Sequence, residues 1–273
     1  MKNLKHPVTI GIVLGITTSL LLIQSHAKAE AGGTSILHLA IRETMANTAV
    51  NTNAAGRVDA KQNKQGRSNV QRLDISASNL GPNAPYQLLA LLGDDTNSTA
   101  VANFTSDADG QIDLRYRRVD AGNGNGNGHA KGLGKGKSAL PNVLNPISNI
   151  RGLHIQDAAN QVVLTADFTA PDKFGYLVKR PLTNDGFDAD AAGTLRIKGN
   201  LNQANLRVVA SNLETNADYF LILNGSINET NTTDSTGKLT VTTALLSPVD
   251  ILGLRTLSIS DSASNSILST QLP

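Results

Sequence analysis

The chain repeats itself. Residues 77–89 read ASNLGPNAPYQLL and residues 210–222 read ASNLETNADYFLI, identical at eight of thirteen positions. An internal repeat at this spacing means that the folding unit is about half the chain, used twice in tandem. Other anchors extend the match. Ala54-Ala55-Gly56 corresponds to Ala191-Ala192-Gly193, and the segment Arg151–Asp157 corresponds to Arg255–Asp261. Val163-Leu164 then corresponds to Ile267-Leu268. These matches put one unit at 33–171 and a second at 172–273.

Within both units the hydrophobic period is two. Leu73, Ile75 and Ala77 alternate with Asp74 and Ser76, and Leu206, Val208 and Ala210 alternate with Arg207 and Val209. Such alternation marks strands with one face on a core and the other toward water. Tyr86–Leu92 and Tyr219–Leu223 are apolar at nearly every residue, which predicts central strands covered on both sides. Short strands separated by Gly, Asn, Asp, Ser and Pro clusters, with almost no helical period after residue 29, predict an all-β chain. The expected architecture is two tandem homologous antiparallel Greek-key β-sandwich domains.

The segment Leu80-Gly81-Pro82-Asn83-Ala84-Pro85-Tyr86-Gln87-Leu88 resembles the tyrosine corner of fibronectin type III and immunoglobulin-like domains, and Leu213–Leu221 repeats it without the proline. The resemblance covers about nine residues in each unit. It implies an Ig-like sandwich in which the tyrosine hydroxyl ties back to backbone upstream. More strands follow the corner in the second unit than in those families, so a related Greek-key sandwich is the inference.

Residues 1–29 have the form of an export signal. Lys2 and Lys5 form a basic start, Val8–Ile23 is an uncharged apolar run, and Ala27-Lys28-Ala29 provides small residues for cleavage before Glu30. A run of sixteen residues is shorter than the roughly 20 that span a bilayer, and no later segment is apolar enough to cross one. The signal carries three of the 24 basic residues and no acid, which leaves 21 basic against 22 acidic groups in the exported chain. The precursor's pI of 8.8 therefore gives no warrant for a nucleic-acid partner. Cysteine is absent, which excludes thiol catalysis, thiolate metal sites and lipid attachment at cysteine. With the signal, this points to the periplasm, the cell surface or the medium.

Candidate chemistry is sparse. Asp107-Ala108-Asp109-Gly110 resembles the middle of a calcium loop, but the first and last ligand positions fall on Thr105 and Tyr116, and the second unit has Asp234-Ser235-Thr236-Gly237 there. A hairpin turn accounts for both copies, leaving Asp107 and Asp109 as weak metal candidates. Asp185, Asp188 and Asp190 read as a solvated linker between the units. His154 should face away from the core, His129 falls in a glycine-rich stretch, and His38 lies in the first strand. No nucleophile elbow or phosphate-binding loop occurs. Sugar stacking would have only Tyr116 and Tyr176 to use, since there is no Trp and Tyr86 and Tyr219 read as structural.

The units differ most at 122–137, a Gly/Asn/Lys-rich loop in the first unit only. Its Lys131, Lys135 and Lys137, with nearby Arg117 and Arg118, are the candidate contacts for an acidic surface. The expectation is an exported, non-catalytic tandem β-sandwich protein without a cofactor. It would act as a structural or adhesive binding module at the cell envelope or in the medium, with an envelope protein, extracellular protein or anionic polymer as partner. The alternatives are a polysaccharide-binding module, or a calcium-assisted hydrolase drawing on Asp94, Asp95, Asp107 and Asp109.

Overall fold

The computed structural model describes residues 35–93, 97–120, 136–245 and 248–272. The leader, Asp94 and Asp95, and Lys131, Lys135 and His129 lie outside these residues. The first strands are β1 (Ile36–Asn47), β2 (Ala55–Gln65), β3 (Ser68–Ser78), β4 (Pro85–Leu92), β5 (Ser98–Thr105) and β6 (Ile112–Asp120). The two-residue β7 (Ser138–Ala139) is followed by 3-10 turns at Asn142–Leu144 and Ile147–Asn149, then β8 (Ile150–Asp157) and β9 (Val162–Asp167). The second series is β10 (Lys173–Asn184), β11 (Ala192–Asn200), β12 (Ala204–Ser211), β13 (Asp218–Leu223), β14 (Ser226–Thr232) and β15 (Leu239–Leu245). A six-residue helix α1 (Pro248–Gly253) precedes β16 (Thr256–Ser260) and β17 (Ser266–Gln271).

The fold is all-β and antiparallel, apart from β7 beside β6. In the first series β1, β2, β3 and β6 pair side by side, and so do β9, β8, β4 and β5. The end of β1, Ala46–Asn47, crosses to pair with β9 and joins the two ladders. In the second series β10, β11, β12 and β15 pair in that order, as do β17, β16, β13 and β14, and Thr183–Asn184 of β10 makes the crossing to β17. Irregularities fall at corresponding places, at Leu88/Leu89 and Leu221/Ile222, and at Ile155/Gln156 and Ile259/Ser260.

One pairing joins the two series. β1 and β10 run antiparallel from Ile36↔Lys179 to Arg42↔Lys173. The long sheet is therefore continuous, in the order β6–β3–β2–β1–β10–β11–β12–β15, and the chain curls as a half-barrel around one apolar interior. Strand alternation sets what goes inside. Val58, Leu73, Ile75, Leu195, Ile197, Leu206 and Val208 on the long sheet are fully buried, as are Leu88, Leu153, Ile155, Leu164, Ile259 and Leu268 on the shorter ladders. Phe174 and Tyr176 stack beneath the seam with ring centroids 6.2 Å apart. Arg151 also reaches across it, its Nη2 donating to the Leu252 carbonyl.

The turns explain the conserved spelling of the two copies. The Tyr86 hydroxyl accepts the Gly81 N–H at 2.8 Å, and the Tyr219 hydroxyl accepts the Glu214 N–H at 3.1 Å. Gly110 and Gly237 have φ of +69° and +71°, and a Cβ at either would lie 2.2 Å from the carbonyl oxygen of Leu80 or Leu213. Only glycine fits there, on both conformation and space.

Two expectations need correction. β4 and β13 are central in their ladders, but their outer sides are not sealed: Leu91, Phe220 and Ile222 are half-buried. Asp185, Asp188 and Asp190 belong to the turn between β10 and β11 rather than to a linker. Asp188 accepts the Ala191 N–H through its backbone oxygen, and Asp185 accepts the hydroxyls of Ser266 and Ser269. The acids in this stretch are turn formers, a role that Asp fills as readily as solvation.

Candidate functional site: the outer face of the long sheet

Residues of alternate parity on the long sheet point away from the core. In the first series these include the basic residues Arg42, Arg57, Lys61, Arg72, Arg115 and Arg117, and the acids Asp59, Asp74 and Asp113. In the second series they include Lys173, Lys179, Arg196, Lys198 and Arg207, with no acid among the described residues. The face thus carries eleven basic and three acidic groups, although the whole chain has 24 and 22. The pleat performs the sorting, since every second residue of a strand reaches the same side.

The first-series acids are held by neighbouring cations. Arg42 Nε donates to Asp59 at 2.7 Å, Arg57 approaches the same carboxylate at 3.0 Å, and Arg72 and Arg115 bond Asp74 and Asp113. Burial alone would raise the Asp59 pKa, but the Arg42 hydrogen bond and the charges of Arg57 and Arg42 outweigh it and hold the carboxyl below its ordinary value. The Asp74 hydrogen bond raises the Arg72 guanidinium in turn. At the seam the small residues Ala40 and Gly175 leave a shallow depression of about 330 Å³, flanked by Lys61 and Lys198. His38, Asn63 and Leu177 line it as well, so it is a mixed polar and apolar hollow with a cation on either side.

The sequence candidates fall partly on this face. Arg117 lies on it, half-buried and in register with Arg72. Arg118 faces the other way and donates to Asp120 at 2.9 Å and to the Asn142 side chain at 3.1 Å. Lys137 is half-buried just before β7. His38 is on the face, its Nδ1 2.9 Å from Asn63 Oδ1 on β2. His154 is half-buried on β8, opposite Leu89 and Thr165, and burial lowers its imidazole pKa. The structure brings none of these histidines together with a carboxylate.

The acidic motif is a turn. One oxygen of Asp107 accepts the N–H of Asp109 at 3.0 Å and of Gln111 at 2.7 Å, while the Asp107 N–H donates back to the Gln111 carbonyl. Asp234, Asp157 and Asp261 repeat this bonding with residues two and four further on. At Asp234 the Thr236 hydroxyl, and at Asp261 the Asn265 side chain, do most to keep the carboxyl below its usual range. In each copy one carboxylate oxygen is committed to closing the turn through backbone donors, which is the role these aspartates visibly fill. Among the described residues no cluster of three or more His, Cys, Asp or Glu side chains is arranged to hold a metal. All four tyrosines are buried, so Tyr116 and Tyr176 are not a platform for sugar rings.

Sequence reasoning did not find this face. The signal was present in basic residues at same-parity positions, Arg57 and Lys61 in one segment and Arg196 and Lys198 in another, with Arg207 on the strand that follows. Only the cross-strand register shows that these residues share one side. Neither known family models nor curated proteins match the chain.

Proposed function

We propose that this is an exported, non-catalytic protein of two homologous Ig-like β-sandwich domains, 33–171 and 172–273. It serves as a structural or adhesive binding module at the cell envelope or in the extracellular medium, and it binds through the outer face of the long sheet. The observation that carries this reading is the segregation of charge: eleven basic and three acidic groups on one face of a chain that is nearly neutral. A field of one sign over a rigid surface draws in and orients a partner of the other sign. The matching pairing order, tyrosine hydrogen bonds and glycine turns of the two series support a shared domain design. The leader supports export. The partner is an anionic polymer or an acidic protein surface, matched to the charge of the face; no helix among the described residues is long and apolar enough to cross a membrane.

Retention on a polyanion-coated surface is the test, with a neutral polymer surface as control. The purified protein should be held at low salt and released as salt rises, although its net charge is close to zero. It should also show no turnover of glycosidic, ester or peptide substrates. Passage through both surfaces alike, or turnover abolished by His154→Ala or Asp109→Asn, would overturn the proposal.

A further inference from the structure

We infer that the polyanion is held by the second domain, along the cross-strand row Lys179–Arg196–Arg207, and that its class is an anionic polysaccharide. This rests on the proposed function and narrows it to one part of the face and one ligand chemistry.

The row is defined by register. Lys179 is opposite Arg196, and Arg196 is opposite Arg207, on three adjacent strands. Neighbouring strands lie about 4.8 Å apart, so the three cations are stacked at close intervals. Like charges directly opposite each other across a ladder repel and destabilise it. All three side chains are exposed, and none forms an ion pair among the described residues.

The corresponding row of the first domain shows that the fold does not require this arrangement. There the same places hold Arg42, Asp59 and Asp74. Arg42 bonds Asp59 at 2.7 Å and Asp74 is bonded by Arg72. Two aspartates that neutralise the first row are thus two arginines in the second. The repulsion left in the second domain is relieved by an anion from outside. Lys198 stands two residues from Arg196 on the same side of β11 and broadens the contact. Two guanidinium forks suit sulfate, phosphate or carboxylate oxygens, which they can bind two at a time.

The kind of polymer follows from what the face lacks. Single-stranded nucleic acids are held by base stacking on aromatic rings, and no aromatic residue occupies the outward positions of β10, β11 or β12. A bilayer surface is planar, whereas adjacent strands of a sheet rotate by about 20–25° and turn successive side chains out of a common plane. A linear, flexible chain with anionic groups along its length can follow that rotation.

The test uses the full chain and three variants: K179S/R196S/R207S in the second domain, R57S/R72S/R117S in the first, and deletion of 122–137. The two triple variants change the net charge equally and alter only outward-facing residues, and unchanged melting curves confirm that each is folded. Binding is measured to immobilised heparin and polygalacturonate as polysaccharide probes, to duplex and single-stranded DNA, and to vesicles of anionic lipid. The second-domain variant should lose affinity for heparin by about 30-fold and show a salt dependence shallower by about two in log–log slope, the effect of three lost contacts. The first-domain variant, which weakens the general field of the face but leaves the row intact, should lose distinctly less, by no more than about fivefold, and the deletion should change affinity by less than about threefold. Equal losses in both triple variants would overturn the inference, as would loss on deletion of 122–137 or tighter binding of DNA or vesicles than of either polysaccharide. If the unaltered protein bound no polyanion at all, the proposed function itself would fall with it.

Discussion

The two series of strands solve one packing problem in opposite ways. At the end of the first series, Gln62 and Gln71 point inward and are 3% and 0% exposed. Gln71 donates to Asn145 Oδ1 at 2.6 Å and accepts the Ile147 N–H at 2.8 Å, and Gln62 accepts the Ser148 N–H at 3.2 Å. They satisfy the irregular backbone of the two 3-10 turns, which has no ladder to bond to. The corresponding places in the second series are Gly199 and Ala204. There a Cβ on Gly199 would lie 2.5 Å from Ile251 Cδ1, on the helix that replaces the turns. Polar side chains serve an unpaired backbone; small ones make room for apolar residues of a helix that bonds itself. The comparison shows which positions the fold demands, such as Gly110 and Gly237, and which are free to diverge once a local need is met.

Substitution at the shared positions should give the largest effects, and should give them equally. Gly110→Ala and Gly237→Ala each place a methyl group against a backbone oxygen at positive φ, and each should cost about 4 kcal/mol in denaturant unfolding. A small effect at one and a large one at the other would mean that the turns are not equivalent. Next in size is Gln71→Ala, which strands the Ile147 N–H in the core and should cost about 2–3 kcal/mol. If the variant unfolds at the wild-type denaturant midpoint, the proposed role of the buried glutamines is wrong. The reciprocal Gly199→Gln should be less stable than wild type, because Ile251 fills the space.

The smallest effect separates the charged rows by pH. The Asp59 carboxyl is held below its usual pKa, so its contribution to stability is complete above about pH 4. That contribution is lost as pH falls through the lowered value in the folded protein. Asp59→Asn should therefore lower stability at pH 7, by less than about 1 kcal/mol for a partly exposed pair. The difference from wild type should shrink progressively as pH falls below about 4. A difference that persisted undiminished in acid would show that packing, not the ion pairs with Arg42 and Arg57, accounts for it.

Much of the strand plan was legible in the sequence. The anchors at Ala54–Gly56 and Ala191–Gly193 lie at the starts of β2 and β11, and Leu73–Ala77 and Leu206–Ala210 alternate as β3 and β12 do. Those signals are local, arising from side-chain period and turn chemistry. The seam was not legible, because hydrophobic alternation says which face of a strand is buried and nothing about which edges meet. Nor was the candidate site. The exchange of Asp59 for Arg196 is visible when the copies are aligned, but only long-range register lines Arg196 up with Lys179 and Arg207. The inward Gln62 and Gln71 break the alternation of β2 and β3, and that break was the one written trace of the irregular turns they serve.

The seam also has a consequence for anyone who cuts the molecule in two. Separating the series between β9 and β10 would strip β1 of seven backbone partners, from Ile36 to Arg42, beside the apolar Leu37, Leu39 and Ile41. Such a bare edge recruits another strand. Because β1 meets β10 antiparallel, a second fragment of the same kind can take the vacant berth by a half-turn rotation, the operation that generates a symmetric dimer. A severed first half would therefore be a protein in search of its twin, soluble only once it had found one.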